Sequence, residues 1–205
     1  MKKPGAVPFQ AVLLFLGIVL LVRLASMHTS SFFLFQPDLL AAALFLYAPF
    51  LYYYYRRGKA PPWLRFGDAG RNALAALALA ASGVLAYSLY ALLPLPHSLS
   101  PYSGPRPPLE DTLFWQGLLV VLPEEVFFRG YLYDAFEETG WEPVLCSSVL
   151  FAAGHLLIYP SWYRALTLFP GLLLGGGRKI TGNIYVPVLL HLLFNLLPYF
   201  AGGPR

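Results

Sequence analysis

Four residues of this chain have the types and spacing to direct a water at a carbonyl group: Glu124, His155, His191 and Asn195. A carboxylate paired with an imidazole can hold a water molecule and take its proton. An imidazole and an amide N–H can donate to the oxyanion that forms when this water attacks a carbonyl. Glu124, His155 and His191 could equally bind a zinc ion with an open position for water. The residues themselves leave both mechanisms open. No serine or cysteine nucleophile is placed with them, because Cys146, Ser147 and Ser148 lie about two helical turns or more before His155.

Glu124 stands in the stretch Pro123-Glu124-Glu125-Val126-Phe127-Phe128-Arg129-Gly130-Tyr131, inside an otherwise apolar run from Leu113 to Tyr133. That run is long enough to cross a bilayer, which needs about 20 residues. Each charge at a helix centre costs roughly 2.5–3.5 kcal/mol, and each flanking Leu, Val or Phe returns only about 0.3–0.6 kcal/mol. Glu124, Glu125 and Arg129 therefore cancel most of the drive to insert. Such charges persist only facing a protein or water-lined interior, where they usually carry function. Glu125 and Arg129 are spaced i, i+4 and predict an ion pair on one helix face. Glu124 points about 100° away from that pair, which makes it the carboxylate free for chemistry.

The elements that must position these groups are membrane helices. A chain of 205 residues can be one domain. A content of 58% hydrophobic and 12% charged residues lies far from soluble averages and predicts an all-α, polytopic transmembrane bundle. Cys146 is the one cysteine, which excludes an internal disulfide, and it is expected to pack as a small apolar residue. The net charge of +4 does not point to nucleic acid, because the basic residues fall mostly between apolar segments and report orientation.

Seven segments follow in order. Phe9–Ala25 follows a short lead with Lys2 and Lys3; without a clear small-residue cleavage site it reads as a retained helix rather than a signal peptide. Leu39–Tyr55 closes on tyrosines running into Arg56 and Arg57, an interface pattern. The loop from Arg56 to Arg71 holds Arg56, Arg57, Lys59, Arg65 and Arg71 against Asp68, and is expected to be cytoplasmic. Asn72–Leu93 is the third segment. The Pro- and Ser-rich stretch after it, with His97 and Arg106, is expected outside, with His97 as a solvated loop residue. The fourth segment carries Glu124 and ends inside at Asp134, Glu137 and Glu138; Trp141–Ile158 is the fifth. Trp162–Leu174 is short and interrupted by Pro170-Gly171, and Gly175-Gly176-Gly177 leads to a cytoplasmic basic pair, Arg178-Lys179. Ile184–Phe200 is the seventh. An N-terminus inside places Lys2-Lys3, Arg56–Arg71 and Arg178-Lys179 on the cytoplasmic side together. The expected organisation is one membrane domain, with three helices and their loops over 1–108 and the catalytic helices over 109–205.

His155 ends the pattern Phe151-x-x-x-His155 late in the fifth segment, and His191 and Asn195 share a face of the seventh at i, i+4. At 1.5 Å rise per residue, His191 lies at roughly 10 Å from the cytoplasmic edge, Glu124 and Asn195 at about 15 Å and His155 at about 20 Å. Helix tilt of about 20° covers that spread, so the four groups can meet at one level.

Glu124-Glu125-x-x-x-Arg129, Phe151-x-x-x-His155 and His191-x-x-x-Asn195, in this order on successive hydrophobic segments, resemble the three motifs of the CPBP family. That family comprises type II CAAX prenyl endopeptidases and bacteriocin-processing or immunity proteins. The resemblance covers about Leu113–Phe200 and implies an intramembrane endopeptidase. It implies that Glu124 and His155 activate the water, that His191 and Asn195 form the oxyanion site, and that Glu125 and Arg129 support them. Members have been described as metalloproteases and as metal-free glutamic proteases. The glutamic type, without cofactor, is preferred, because Asn195 is a poor zinc ligand and a good oxyanion donor; in the zinc alternative Glu124, His155 and His191 are the ligands. Members often have eight crossings, one more than the seven read here. The Lys-poor, Ala/Leu/Pro/Gly/Arg-rich composition suggests a GC-rich bacterium, hence a cytoplasmic-membrane enzyme. The implied partner is a membrane-anchored protein or peptide: a CAAX-like substrate, a bacteriocin, a pheromone or a C-terminal sorting tail. Two rivals use the same residues. In one they form the proton relay of a transporter, with Pro170-Gly171 breaking a helix around the substrate. In the other the chain is a non-catalytic immunity or scaffold protein.

Overall fold

The computed structural model describes residues 6–27, 36–58, 60–94, 96, 99 and 108–200. Lys2, Lys3, Lys59, His97 and Arg106 lie outside the described residues. Among the described residues the regular structure is helical throughout. It comprises α1 (Ala6–Met27), α2 (Pro37–Arg57), α3 (Ala69–Leu92), α4 (109–137), α5 (Pro143–Ile158), α6 (Leu168–Thr181) and α7 (Tyr185–Phe200). A 3₁₀ turn at Pro62–Leu64 and a single helical turn at Trp162–Ala165 complete it. Six of the helices fall on apolar segments as read, whereas α6 starts at Leu168, inside the Trp162–Leu174 segment, and runs on to Thr181.

Two helical stretches, Phe9–Met27 and Ala69–Leu92, are long and apolar enough to cross a membrane. α5 and the Tyr185–Pro198 part of α7 are apolar but shorter. Length and composition thus mark two spans where seven were expected. The difference follows from the charges along α4, the tyrosine- and arginine-rich end of α2, and the shortness of α5 to α7. Leu74, Leu77, Leu85 and Leu89 are exposed along α3, a surface that suits hydrocarbon better than water.

Local chemistry sets the helix ends. Asp68 Oδ1 accepts the Arg71 N–H at 2.6 Å and starts α3, and Glu142 Oε2 accepts the Leu145 N–H at 2.7 Å and starts α5. α4 is not a regular α-helix, as its apolar run suggested; it widens to π-helix over Gln116–Val121 and again over Val126–Leu132. The first widening precedes Pro123. In an α-turn the proline ring would collide with the Leu119 carbonyl, and inserting a residue into the turn relieves this. The Leu122 N–H accordingly bonds the Gly117 carbonyl, five residues back.

α1 packs on α2, α4 and α5, and α2 packs on α1 and α4. Phe15, Phe45, Phe127, Phe128 and Phe151 interlock there, with Phe128 edge-on to Phe151 at 5.1 Å between ring centres. α6 packs between α3, α5 and α7. Cys146 is half-buried and packs on the aromatic core, as a small apolar residue does.

Two expectations for the α6 region are corrected. Pro170 occupies the first turn, where its missing N–H is harmless, and α6 runs unbroken through Gly171 and the three glycines to Thr181. The glycines are helix rather than linker, and Gly175 is a packing position: a Cβ there would meet Val144 Cγ1 at 2.9 Å. Arg178 is not a loop cation either. It is buried, its Nη2 donates to Asp134 Oδ1 at 2.9 Å, and its Nε donates to the Arg129 carbonyl at 3.0 Å. The Tyr53 hydroxyl donates to the other oxygen of Asp134, and Trp63 Nε1–H donates to that hydroxyl at 3.2 Å. This chain of buried polar contacts ties α2 and the segment after it to α4 and α6, behind the candidate site.

Candidate active site

Three elements bring the motif residues together. The turn of α4 between its two π-helical stretches presents Glu124 and Glu125, α5 presents Phe151 and His155, and α7 presents His191 and Asn195. Glu125 and Arg129 form the expected pair at 2.9 Å, both side chains 0% exposed. Arg129 also donates through Nη2 to the Gly171 carbonyl at 3.2 Å, and its guanidinium lies over the Phe151 ring at 4.4 Å. These contacts fix the buried charge and explain the phenylalanine of the second motif: its π-face neighbours the cation.

His191 is held by Glu125, not by Glu124. Its Nδ1 lies 2.7 Å from Glu125 Oε1, which leaves Nε2 turned toward Glu124 Oε2 at 3.7 Å. His155 is oriented from its own helix, with Nδ1 3.0 Å from the Phe151 carbonyl and Nε2 4.0 Å from Glu124 Oε1. A carbonyl can only accept, so Nδ1 of His155 carries the proton and Nε2 of the neutral ring offers a lone pair. Both imidazoles therefore aim their free nitrogen at the Glu124 carboxylate. Glu124 makes no direct side-chain hydrogen bond through its buried Oε2 among the described residues. Its side chain is 15% exposed and that of His155 22%, whereas Glu125 is sealed. Of the two adjacent glutamates, Glu124 is the accessible one.

The depth spread of roughly 10 Å inferred from helix counting thus closes for Glu124, His155 and His191. Asn195 is placed differently. One turn beyond His191, it donates through Nδ2 to Gln116 Oε1 at 2.9 Å. Gln116 was missed from sequence, although a glutamine inside an apolar run two turns before Glu124 is a legible signal. Ser147 and Ser148 hydrogen-bond the backbone carbonyls of Pro143 and Val144, at 2.6 Å each, and are structural.

Among the described residues, no group of three or more His, Cys, Asp or Glu side chains is arranged to hold a metal ion. Glu124, His155 and His191 come nearest to such a set: Nδ1 of each imidazole is engaged by another partner and each Nε2 faces the Glu124 carboxylate, at 4.0 Å for His155 and 3.7 Å for His191.

Residues 111–197 match the family described as type II CAAX prenyl endopeptidase Rce1-like. The C-terminal part of the chain is thus similar to that family, and the match spans all three CPBP-like motifs. No curated protein and no solved structure matches the chain. The description of that family names an endopeptidase.

Proposed function

We propose that this chain hydrolyses a peptide bond near the membrane end of an anchored protein or peptide, using a water activated by Glu124 and His155 without a metal. One observation carries the reading: the 4.0 Å between His155 Nε2 and Glu124 Oε1, with Nε2 obliged to be an acceptor in the neutral ring. That separation is too long for a direct hydrogen bond and suits a bridging water. A water donating to both groups turns an oxygen lone pair outward to the substrate carbonyl, and loses a proton to the pair as its oxygen bonds to carbon. The oxyanion so formed is met by an N–H at Nε2 of His191 and by an N–H of Asn195. Collapse breaks the carbon–nitrogen bond, and the stored proton passes to the leaving amine. Glu125, compensated by Arg129, holds His191 through Nδ1.

The catalytic unit is residues 109–205, and helices α1 to α3 form the membrane part before it. In the cytoplasmic membrane, seven crossings with the N-terminus inside would put Arg65, Arg71 and Lys179 on one side. The test is cleavage of a membrane-anchored reporter by purified protein. Glu124→Ala should abolish it while leaving the helical content and insertion intact. Normal cleavage by the folded variant would overturn the assignment.

A further inference from the structure

We infer that Gln116 is a positioning residue that fixes which edge of the Asn195 carboxamide faces the reaction; this rests on Asn195 acting as an oxyanion donor. A carboxamide is nearly symmetric in shape, and rotation by half a turn replaces its N–H₂ edge by its C=O edge. One edge stabilises an oxyanion and the other repels it. Something must therefore choose between them.

Gln116 Oε1 makes that choice. It lies 2.9 Å from Asn195 Nδ2 and accepts one of its two hydrogens, which leaves the second for another acceptor. The contact spans two helices, α4 and α7, that are 79 residues apart at this point. It exists because of the π-helical turn. Gln116 and Glu124 are separated by eight positions. In a regular α-helix eight positions overshoot two turns by about 80°. The Gln116–Val121 turn absorbs one additional residue, so the separation behaves as about seven α-helical steps, close to two full turns. Gln116 is thereby brought back to the face of Glu124, where α7 passes. The distortion demanded by Pro123 thus also delivers the carboxamide that anchors Asn195.

The inference separates from a merely structural role in steady-state kinetics on a membrane-anchored fluorogenic peptide that the unaltered protein cleaves. Gln116→Leu and Gln116→Met remove the acceptor and should lower kcat by about tenfold or more with little change in KM, the signature of a contact felt at the transition state. Gln116→Glu keeps an acceptor at the same place and should retain turnover within about threefold. The Asn195→Ala and Gln116→Met double variant should be no slower than Asn195→Ala alone, because residues acting through one group are not additive. Multiplying effects, a change confined to KM, or Gln116→Met at the unaltered rate while Asn195→Ala is slow would overturn the role of Gln116 alone. Asn195→Ala at the unaltered rate would remove the oxyanion assignment as well. Thermal unfolding of each variant identifies a loss of fold, and of the Leu and Met variants the one that folds decides.

Discussion

His191 Nδ1 lies 2.7 Å from Glu125 Oε1, so the imidazole of the third motif is anchored to the buried member of the Glu124–Glu125 pair and turns its other nitrogen to the accessible one. Adjacent carboxylates have opposite duties here. Glu125 has Arg129 at 2.9 Å as well, and removing its charge leaves a guanidinium buried without compensation. Breaking a buried pair in this way costs about 3–5 kcal/mol. Glu125→Gln should therefore lower both thermal stability and turnover. Glu124→Gln removes a carboxylate whose buried Oε2 accepts no hydrogen bond among the described residues, and should stop turnover with unfolding temperature unchanged or raised. Equal losses of stability in the two variants would contradict this division.

The Asp134–Arg178 pair should behave as a structural element. Arg178 Nη2 lies 2.9 Å from Asp134 Oδ1, and both residues are buried. Asp134→Ala should destabilise by about 3–5 kcal/mol. Replacing both partners, Asp134→Leu with Arg178→Met, should recover most of that in thermal or denaturant unfolding. A double variant no better than the single one would show that the pair does not act as a unit.

Glycine substitutions should split by what surrounds them. A Cβ at Gly130 would meet Trp63 Cε2 at 2.7 Å, and Trp63 is fully buried and tied by Nε1 to Tyr53. Gly130→Ala should cost about 1–3 kcal/mol from overpacking. Nothing lies within 4 Å of the corresponding point at Gly176, which sits inside α6. Gly176→Ala should gain about 0.5–1 kcal/mol from helix propensity. The two unfolding midpoints should move in opposite directions.

Turnover should be independent of added metal. Purified protein is expected to contain substoichiometric metal and to keep full activity in a chelator able to strip zinc. Near one zinc per chain, with activity following its removal and return, would assign Glu124, His155 and His191 as ligands and leave the protease reading standing.

A pH effect is expected outside the membrane helices, at the start of α5. The Leu145 N–H donated to Glu142, aided by the Lys179 ammonium at 3.0 Å, holds this carboxyl below its ordinary value. A depressed folded-state value contributes stability above the ordinary carboxylate range, and that contribution disappears as pH falls through the depressed one. The difference in unfolding temperature between the unaltered protein and Glu142→Gln should be greatest near neutrality and vanish in acid. A difference that grows on acidification would reverse the sign and refute the cap.

The sequence by itself determined the helical class, the seven apolar segments and the three motifs. Each rests on a local regularity: apolar runs, the i, i+4 spacing of Glu125 and Arg129, and imidazoles standing where lipid would reject them. It also singled out Glu124 as the carboxylate left outside the pair, and the structure places both imidazoles facing it. The tertiary structure alone decided what depends on relations between helices. That Glu125 rather than Glu124 holds His191 depends on how α7 is rotated against α4. That Arg178 is buried against Asp134, and that the three glycines continue α6, follow from close packing with α3, α5 and α7, which no window along the chain contains. Gln116 escaped because regular helical counting puts it on another face of α4 from Glu124. The wide turn before Pro123 restores the phase, and only the folded backbone records that extra residue.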